Sequence, residues 1–158
     1  MTTVAEIMDA EPVTVTTDTS IEELVRVLKE HQLQGVPVVN DGGRCVGMVT
    51  EEDLVLSDAE GDLHLPHYIE LFGGVIFLDF HHLNPLQRFE ERLKKAVASR
   101  VEEMMTADPV TIAPTASVSE AARAIAEAGH NRLPVTEHGR LVGLITRVDV
   151  LQALSRED

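Results

Sequence analysis

The 158-residue sequence predicts a mixed α/β (α+β) fold: two copies of one β-α-β-β-α unit packed about a pseudo-two-fold axis. Three observations predict it. The stretch Val4-Ala5-Glu6-Ile7-Met8 through Pro12-Val13-Thr14-Val15 returns 97 residues later as Val101-Glu102-Glu103-Met104-Met105 through Pro109-Val110-Thr111-Ile112. Identical residues fill 14 of 39 positions over 4–42 and, at a spacing of 96 once a residue is lost in a turn, 5 of 12 over 44–55. That density marks a duplication. Each copy also carries an apolar pattern of helical period behind a capping signal. Each then follows it with two short strand-like runs around a glycine-bearing turn.

Taken in order, each unit opens on a β-branched run, Val13–Thr16 or Val110–Ile112. Ser20 with Glu23, and Ser117 with Glu120, have the spacing of a capping box. Behind them Ile21, Leu24, Val25 and Leu28, or Val118, Ala121, Ala122 and Ile125, fall on one helical face. Gly129 suits the end of the second such helix. Strands follow at Val36–Val39 and Cys45–Val49 around Asn40-Asp41-Gly42-Gly43, and at Leu133–Thr136 and Leu141–Ile145 around His138-Gly139. Pro37 and Pro134 mark a strand start with a free edge. Thr50 and Thr146 each open a terminal helix. The chain divides into a first repeat at 1–56, an aromatic-rich insert at 57–100 with a helix from about residue 85, and a second repeat at 101–158.

Composition narrows the functional classes. The chain is 44% hydrophobic and 25% charged, as a packed globular protein requires. No apolar run approaches the length of a membrane span. Met1-Thr2-Thr3-Val4 does not begin a secretory signal. Cys45 is the single cysteine, which fits a reducing cytoplasm. A net charge of −14 argues against a nucleic-acid partner, which would call for a basic face. There is no phosphate-binding loop of the Gly-x-x-x-x-Gly-Lys type, no Gly-x-Ser-x-Gly, and no spaced acid–base pair, so no enzymatic activity is expected.

The ordered motifs are more specific. Met8-x-x-x-Pro12-Val13 is matched by Met105-x-x-x-Pro109-Val110, and Gly35-Val36-Pro37-Val38 by Arg132-Leu133-Pro134-Val135. Gly47-Met48-Val49-Thr50-Glu51-Glu52-Asp53 is matched by Gly143-Leu144-Ile145-Thr146-Arg147-Val148-Asp149. In this order, and twice over, they resemble the cystathionine-β-synthase (CBS) domain family in its tandem-pair form, over residues 4–56 and 101–155. The resemblance implies a regulatory module that senses adenosine-containing ligands (AMP, ADP, ATP or S-adenosylmethionine) and needs no cofactor. It also implies composite sites. Thr146 and Asp149 would face Met8–Val13 and Gln34-Gly35-Val36; Thr50 and Asp53 would face Met105–Val110 and Asn131-Arg132-Leu133. The ligand set is then Thr146, Arg147, Asp149, Thr50, Asp53, Arg132, Asn131, Leu133, Gln34, Val36, Val13 and Val110.

The chemistry of these residues agrees. A nucleotide needs an apolar slot for its base, an acceptor for ribose hydroxyls and donors for phosphate. Thr-x-x-Asp at a helix start offers a hydroxyl and free backbone N–H groups, with a carboxylate one turn on. The same tetrapeptide is also an ordinary helix cap, worth about 1 kcal/mol. Arg132 is either a phosphate contact or a surface ion-pair partner. Gln34-Gly35 lacks its charge in the first copy. Arg147 beside Thr146, against Glu51-Glu52 beside Thr50, suggests that the Asp149 cleft takes the more anionic ligand. Met8, Met104 and Met105 read as core filler, and Cys45 as a small core residue.

The insert holds Tyr68, Phe72, Phe77, Phe80 and Phe89, every aromatic residue in the chain. Its apolar surface has three destinations: packing over the module, a homodimer contact, or a surface for an effector protein. Four of the seven histidines, His64, His67, His81 and His82, also lie there, with no accompanying metal-ligand pattern. The alternative to a ligand sensor is a structural or protein-interaction module with empty clefts.

Overall fold

The computed structural model describes residues 1–56, 68–71, 74–77 and 99–157. The first repeat runs α1 (Val4–Ile7), β1 (Val15–Thr16), α2 (Ile21–Glu30), β2 (Gly35–Val39), β3 (Cys45–Thr50) and α3 (Glu51–Leu56). A hairpin, β4 (Tyr68–Leu71) with β5 (Gly74–Phe77), follows. The second repeat runs α4 (Val101–Met104), β6 (Thr106–Ala107), α5 (Val118–Ala128), β7 (Arg132–Glu137), β8 (Arg140–Thr146) and α6 (Arg147–Glu157). The expected helix from about residue 85 and the four insert histidines lie outside the described residues.

The helices form for the reasons their sequences suggest. Ser20 Oγ accepts from Glu23 N at 3.1 Å, and Ile21, Leu24 and Leu28 turn inward. The box here is only half made, because the Glu23 carboxylate bonds to Arg26 at 2.8 Å instead. The Ser117–Glu120 box is complete: Ser117 Oγ accepts from Glu120 N at 3.1 Å, and Glu120 Oε2 accepts from Ser117 N at 2.7 Å. Gly129 ends α5 in the left-handed region at φ 67°.

Strand ends move outward by a residue, and the opening strands shrink. β1 keeps only Val15 and Thr16, parallel to Val38 and Val39. The expected strand Val110–Ile112 reduces to one parallel bridge from Ile112 to Val135. Pro37 and Pro134 sit inside their strands, fully buried, rather than at a strand start. They are tolerated because β1 pairs with β2 only from Val38 onward, and Ile112 donates to the Pro134 carbonyl, which needs no N–H from proline. His138 and Gly139, at φ 52° and 80°, make the two-residue turn between β7 and β8. The first copy turns through Asn40–Gly43, where Asn40 Oδ1 accepts from Gly42 N and Arg44 N, both at 3.0 Å. Gly43, not Gly42, is the counterpart of Gly139. Cys45 N donates to the Gly139 carbonyl at 3.1 Å, and Leu141 N donates to the Gly43 carbonyl at 3.0 Å.

Those two bonds and the Arg44–Arg140 bridge join the hairpin tips across the pseudo-two-fold axis. Most of the other backbone bonds between the copies come as related pairs. Val4 N donates to Ala116 O, as Val101 N does to Thr19 O, each at 2.8 Å. Asp9 bridges Leu144, and Thr106 pairs with Met48. The lead-in arm of each repeat is therefore docked on the other. Val4 is fully buried in a core with Val118, Leu133 and Ile145, whereas Val101 is fully buried with Ile21, Val36 and Val49. Fully burying a valine contributes about 1.5 kcal/mol or more, so the two cores stabilise the pairing of the repeats as well as each unit.

Candidate functional site

The arm exchange determines what meets at the two junctions where a strand hands over to a terminal helix. At β8–α6, Asp9 N and O both bond to Leu144 at 2.9 Å, two residues before Thr146, and Met8 lies over Gly143. At β3–α3, Thr106 pairs with Met48, two residues before Thr50, and Met105 lies over Gly47. Glycine leaves room for the opposing methionine at 47 and 143, where an added Cβ would meet its thioether, and at 143 the Cβ would also lie 2.9 Å from the Asp9 carbonyl oxygen. Met8 packs on the core of the second repeat, and Met104 and Met105 pack on the core of the first.

A cavity of about 190 Å³ opens beside Thr50. Its walls are Gln34, Met48, Thr50 and Glu51 of the first repeat and Gly129, His130, Asn131 and Arg132 of the second. Four expected site residues, Gln34, Thr50, Asn131 and Arg132, thus meet around one space, with Gln34 beside Thr50 and not opposite Thr146 and Asp149 as expected, because it heads the strand that pairs with β3. Arg132 is half-buried and forms no ion pair among the described residues, so its surface salt-bridge alternative is not realised. Glu51, His130, Met48 and Gly129 were not among the expected site residues. Glu51 has a signal in its charge beside Thr50 and His130 in the His130-Asn131-Arg132 run that the CBS resemblance points toward phosphate, whereas Gly129 has adjacency alone and Met48 its place in the repeated Gly-x-x-Thr motif.

Both Thr-x-x-Asp motifs close on themselves, to different degrees. Asp149 Oδ2 accepts from Thr146 N at 2.8 Å and from Thr146 Oγ1 at 2.7 Å, and Asp149 N donates back to Thr146 Oγ1 at 3.2 Å. Asp53 Oδ2 accepts from Thr50 N at 2.9 Å, but Thr50 Oγ1 is 3.4 Å away. Glu51 N and Arg147 N donate to Gln34 O and Asn131 O at 2.9 and 2.8 Å, which ties each helix start to the head of its own sheet. Arg147 is exposed and lines a groove of about 420 Å³ between α5 and α6. A related groove of about 350 Å³ lies between α2 and α3.

The apolar members of the expected set divide by burial. Val36 and Leu133 are at most 1% exposed and sit inside their own cores, so they offer a cleft backbone alone. Val13 is half-buried against the first core, and Val110 is 50% exposed. Cys45 is half-buried, and desolvation pushes its thiol pKa up, opposite to what a reactive thiolate needs. No group of three or more His, Cys, Asp or Glu among the described residues is arranged to hold a metal ion. No described helix is long and apolar enough to cross a membrane.

The architecture is that of a tandem β/α pair with exchanged arms and an interfacial cavity beside Thr50. The CBS domain family profile matches residues 4–60 and 101–156, and the chain belongs to the CBS domain family, carrying the domain twice. Among its relatives is the uncharacterized protein MJ1426 of Methanocaldococcus jannaschii, 29% identical over 148 residues that cover 90% of this chain and 86% of the relative. The crystal structure of CBSX2 of Arabidopsis thaliana in complex with AMP shares the fold at a TM-score of 0.70 and 24% identity, covering 99% of this chain and 98% of that one. The match to the curated chloroplastic CBSX2 sequence spans 55% of that protein's length. The CBS domain pair of MJ0100, in complex with 5′-methylthioadenosine and S-adenosyl-L-methionine, matches at a TM-score of 0.68 and 20% identity, covering 100% of this chain and 99% of that one.

Proposed function

We propose that this chain is a regulatory module rather than an enzyme, and that it binds an adenosine-containing ligand in the clefts between its two CBS repeats. The observation that carries the reading is the cavity beside Thr50, walled by a hydroxyl from one repeat and, from the other, a guanidinium without an ion-pair partner among the described residues. A hydroxyl and a guanidinium are donors to phosphate, and Asp53 next to Thr50 is an acceptor for ribose hydroxyls. Thr146, Arg147 and Asp149 are the related set in the second repeat. Gln34 and Asn131 each add an amide to the first cleft. Val13 and Val110 supply apolar surface, and the backbones of Val36 and Leu133 supply the edges against which a base would lie. AMP, ADP, ATP and S-adenosylmethionine are the candidate ligands, in keeping with the AMP held by CBSX2 and the adenosyl compounds held by the MJ0100 pair.

The proposal extends to assembly and location. The exposed Val25, Val148 and Leu151 on the helical faces, together with the aromatic insert, favour a homodimer, and an effector protein would read the bound state. A lone cysteine with a raised pKa is at home in a reducing cytoplasm.

Thermal unfolding in the presence of each adenosine compound tests the reading. A ligand specific to the folded state at 100 times its Kd stabilises by about 2.7 kcal/mol, which raises the midpoint of a chain this size by about 5–10 °C. Unchanged unfolding with every compound would leave a structural or interaction module instead.

A further inference from the structure

The hairpin tips that meet on the pseudo-two-fold axis place two like charges face to face. Arg44 and Arg140 are the same position of the two copies and stand directly opposite each other in an antiparallel bridge. The flanking bonds, Cys45 N to Gly139 O at 3.1 Å and Leu141 N to Gly43 O at 3.0 Å, make them a non-hydrogen-bonded pair. That is the closer kind of cross-strand pair, with Cα atoms about 4.5 Å apart and side chains on one face. Like charges so placed are unfavourable. The chain has 27 acidic residues against 13 lysines and arginines, yet neither guanidinium has an ion-pair partner among the described residues. Arg140 makes none even with Glu137, its cross-strand neighbour in β7–β8. Each arginine lies instead against the opposite turn. Arg44 Nη1 donates to the His138 carbonyl at 3.2 Å, and its guanidinium fills the space a Cβ on Gly139 would need. Arg140 Nη2 lies 3.5 Å from where a Cβ on Gly43 would stand. Both arginines are exposed, at the far end of β3 from Thr50, a separation of roughly 20 Å at the rise of an extended strand.

We infer that Arg44 and Arg140 form a second site, separate from the cavity beside Thr50, and that it takes a tetrahedral dianion: the phosphate of a phosphomonoester, or free inorganic phosphate. Two guanidinium groups related by the axis present two forks of N–H donors. A phosphate dianion offers terminal oxygens to both forks and balances both charges. A carboxylate fills one fork and leaves the other cation uncompensated. The bound anion thereby turns a repulsive pair into a source of affinity. The Arg44 guanidinium is already held by the His138 carbonyl, so less side-chain freedom is lost on binding. The net charge of −14 does not oppose this, because charges beyond a Debye length of about 10 Å are largely screened.

An NMR titration of the isotope-labelled full chain tests the site, with inorganic phosphate, phenyl phosphate and acetate at one ionic strength and roughly pH 8, where a phosphate is a dianion. The expected result is a saturable shift of the Gly43 and Gly139 amides with both phosphates, and acetate weaker by about tenfold or more. Arg44→Gln and Arg140→Gln should each weaken phosphate about tenfold. Arg123→Gln, which removes the same charge from the exposed face of α5, should leave it unchanged. A double-mutant cycle on Arg44 and Arg140, read by urea unfolding, should give an unfavourable coupling in chloride and a favourable one in phosphate. The cycle cancels both the Arg44–His138 bond and the general stabilisation by phosphate. Phenyl phosphate bound as tightly as inorganic phosphate assigns the site to a monoester, and inorganic phosphate alone assigns it to the free ion; either sustains it. Shifts at Thr50 and Asn131 without Gly43 and Gly139, acetate as tight as phosphate, Arg44→Gln and Arg140→Gln no weaker than Arg123→Gln, or a coupling of one sign in both salts would each overturn the proposal. The titration is read on the wild type, so it depends neither on a variant folding nor on the clefts binding an adenosine compound.

Discussion

Replacing Gly143 by alanine should loosen the N-terminal arm from the second repeat and destabilise the protein by roughly 2–3 kcal/mol. The added methyl would collide with Met8 Sδ, lie 3.0 Å from Met8 Cγ, and lie 2.9 Å from the Asp9 carbonyl oxygen. A methionine can rotate away; a backbone carbonyl in a bridge cannot. Moving Asp9 breaks its two 2.9 Å bonds with Leu144, about 1 kcal/mol net each, and lifts Met8 from the core. Gly47→Ala is the internal control. It meets Met105 in the same way, but its nearest backbone atom, Thr106 O, is 3.2 Å away, which a few tenths of an ångström relieves. It should cost about 1 kcal/mol, mostly in methionine repacking. Urea unfolding at constant m reads both values. Adding Met8→Ala to Gly143→Ala should rescue only part of the loss, since it leaves the Asp9 carbonyl in place. Gly143→Ala as stable as wild type, or less damaging than Gly47→Ala, would refute the argument that the exchanged arms set the stability of the pair.

Two further outcomes follow from the caps. Asp149→Ala removes an acceptor held by two short bonds and should cost about 1 kcal/mol, whereas Asp53→Ala, with one short bond, should cost less; unfolding free energies in the reverse order would contradict the view that the Thr146 cap is the closed one. Glu120 and Glu6 are held below the ordinary value of 4.5, chiefly by hydrogen bonds from the Ser117 and Thr3 backbones. Their stabilisation is present above about pH 4.5 and is lost as pH falls through the lower folded values. Glu120→Gln should therefore narrow the gap between stability at pH 6 and at pH 3, and a gap of wild-type size in the variant would count against the capping role.

What the sequence reveals, and what it conceals, has one physical cause. Helices α2 and α5 are legible because period and capping are local: Ser20 and Ser117 are three residues from the N–H groups they accept. The hairpin turn at His138-Gly139 is legible for the same reason. The opening strands are not, because a parallel pair is made by distant residues, and Val110–Ile112 finds only one partner, Val135. The arm exchange is hidden by the duplication itself. Val4 and Val101 are the same residue and would suit either core, so no local pattern says which repeat each one enters. The partition of the site follows the same logic. Thr50, Asn131 and Arg132 could be placed near one another only through the resemblance to CBS pairs, which the repeated motifs carry. That Val36 and Leu133 turn inward could not, because their strands are buried on both faces and show no alternation to read. Since the duplication makes the two backbones alike, any chemical distinction between the clefts has to reside where the copies disagree. Around the cavity those positions are Gln32 against Gly129, Leu33 against His130, Gln34 against Asn131, Gly35 against Arg132, Met48 against Leu144 and Glu51 against Arg147. Of these, Gly35 against Arg132 alone pairs a position closed to a side chain with one where a cation, without an ion-pair partner among the described residues, lines a cavity.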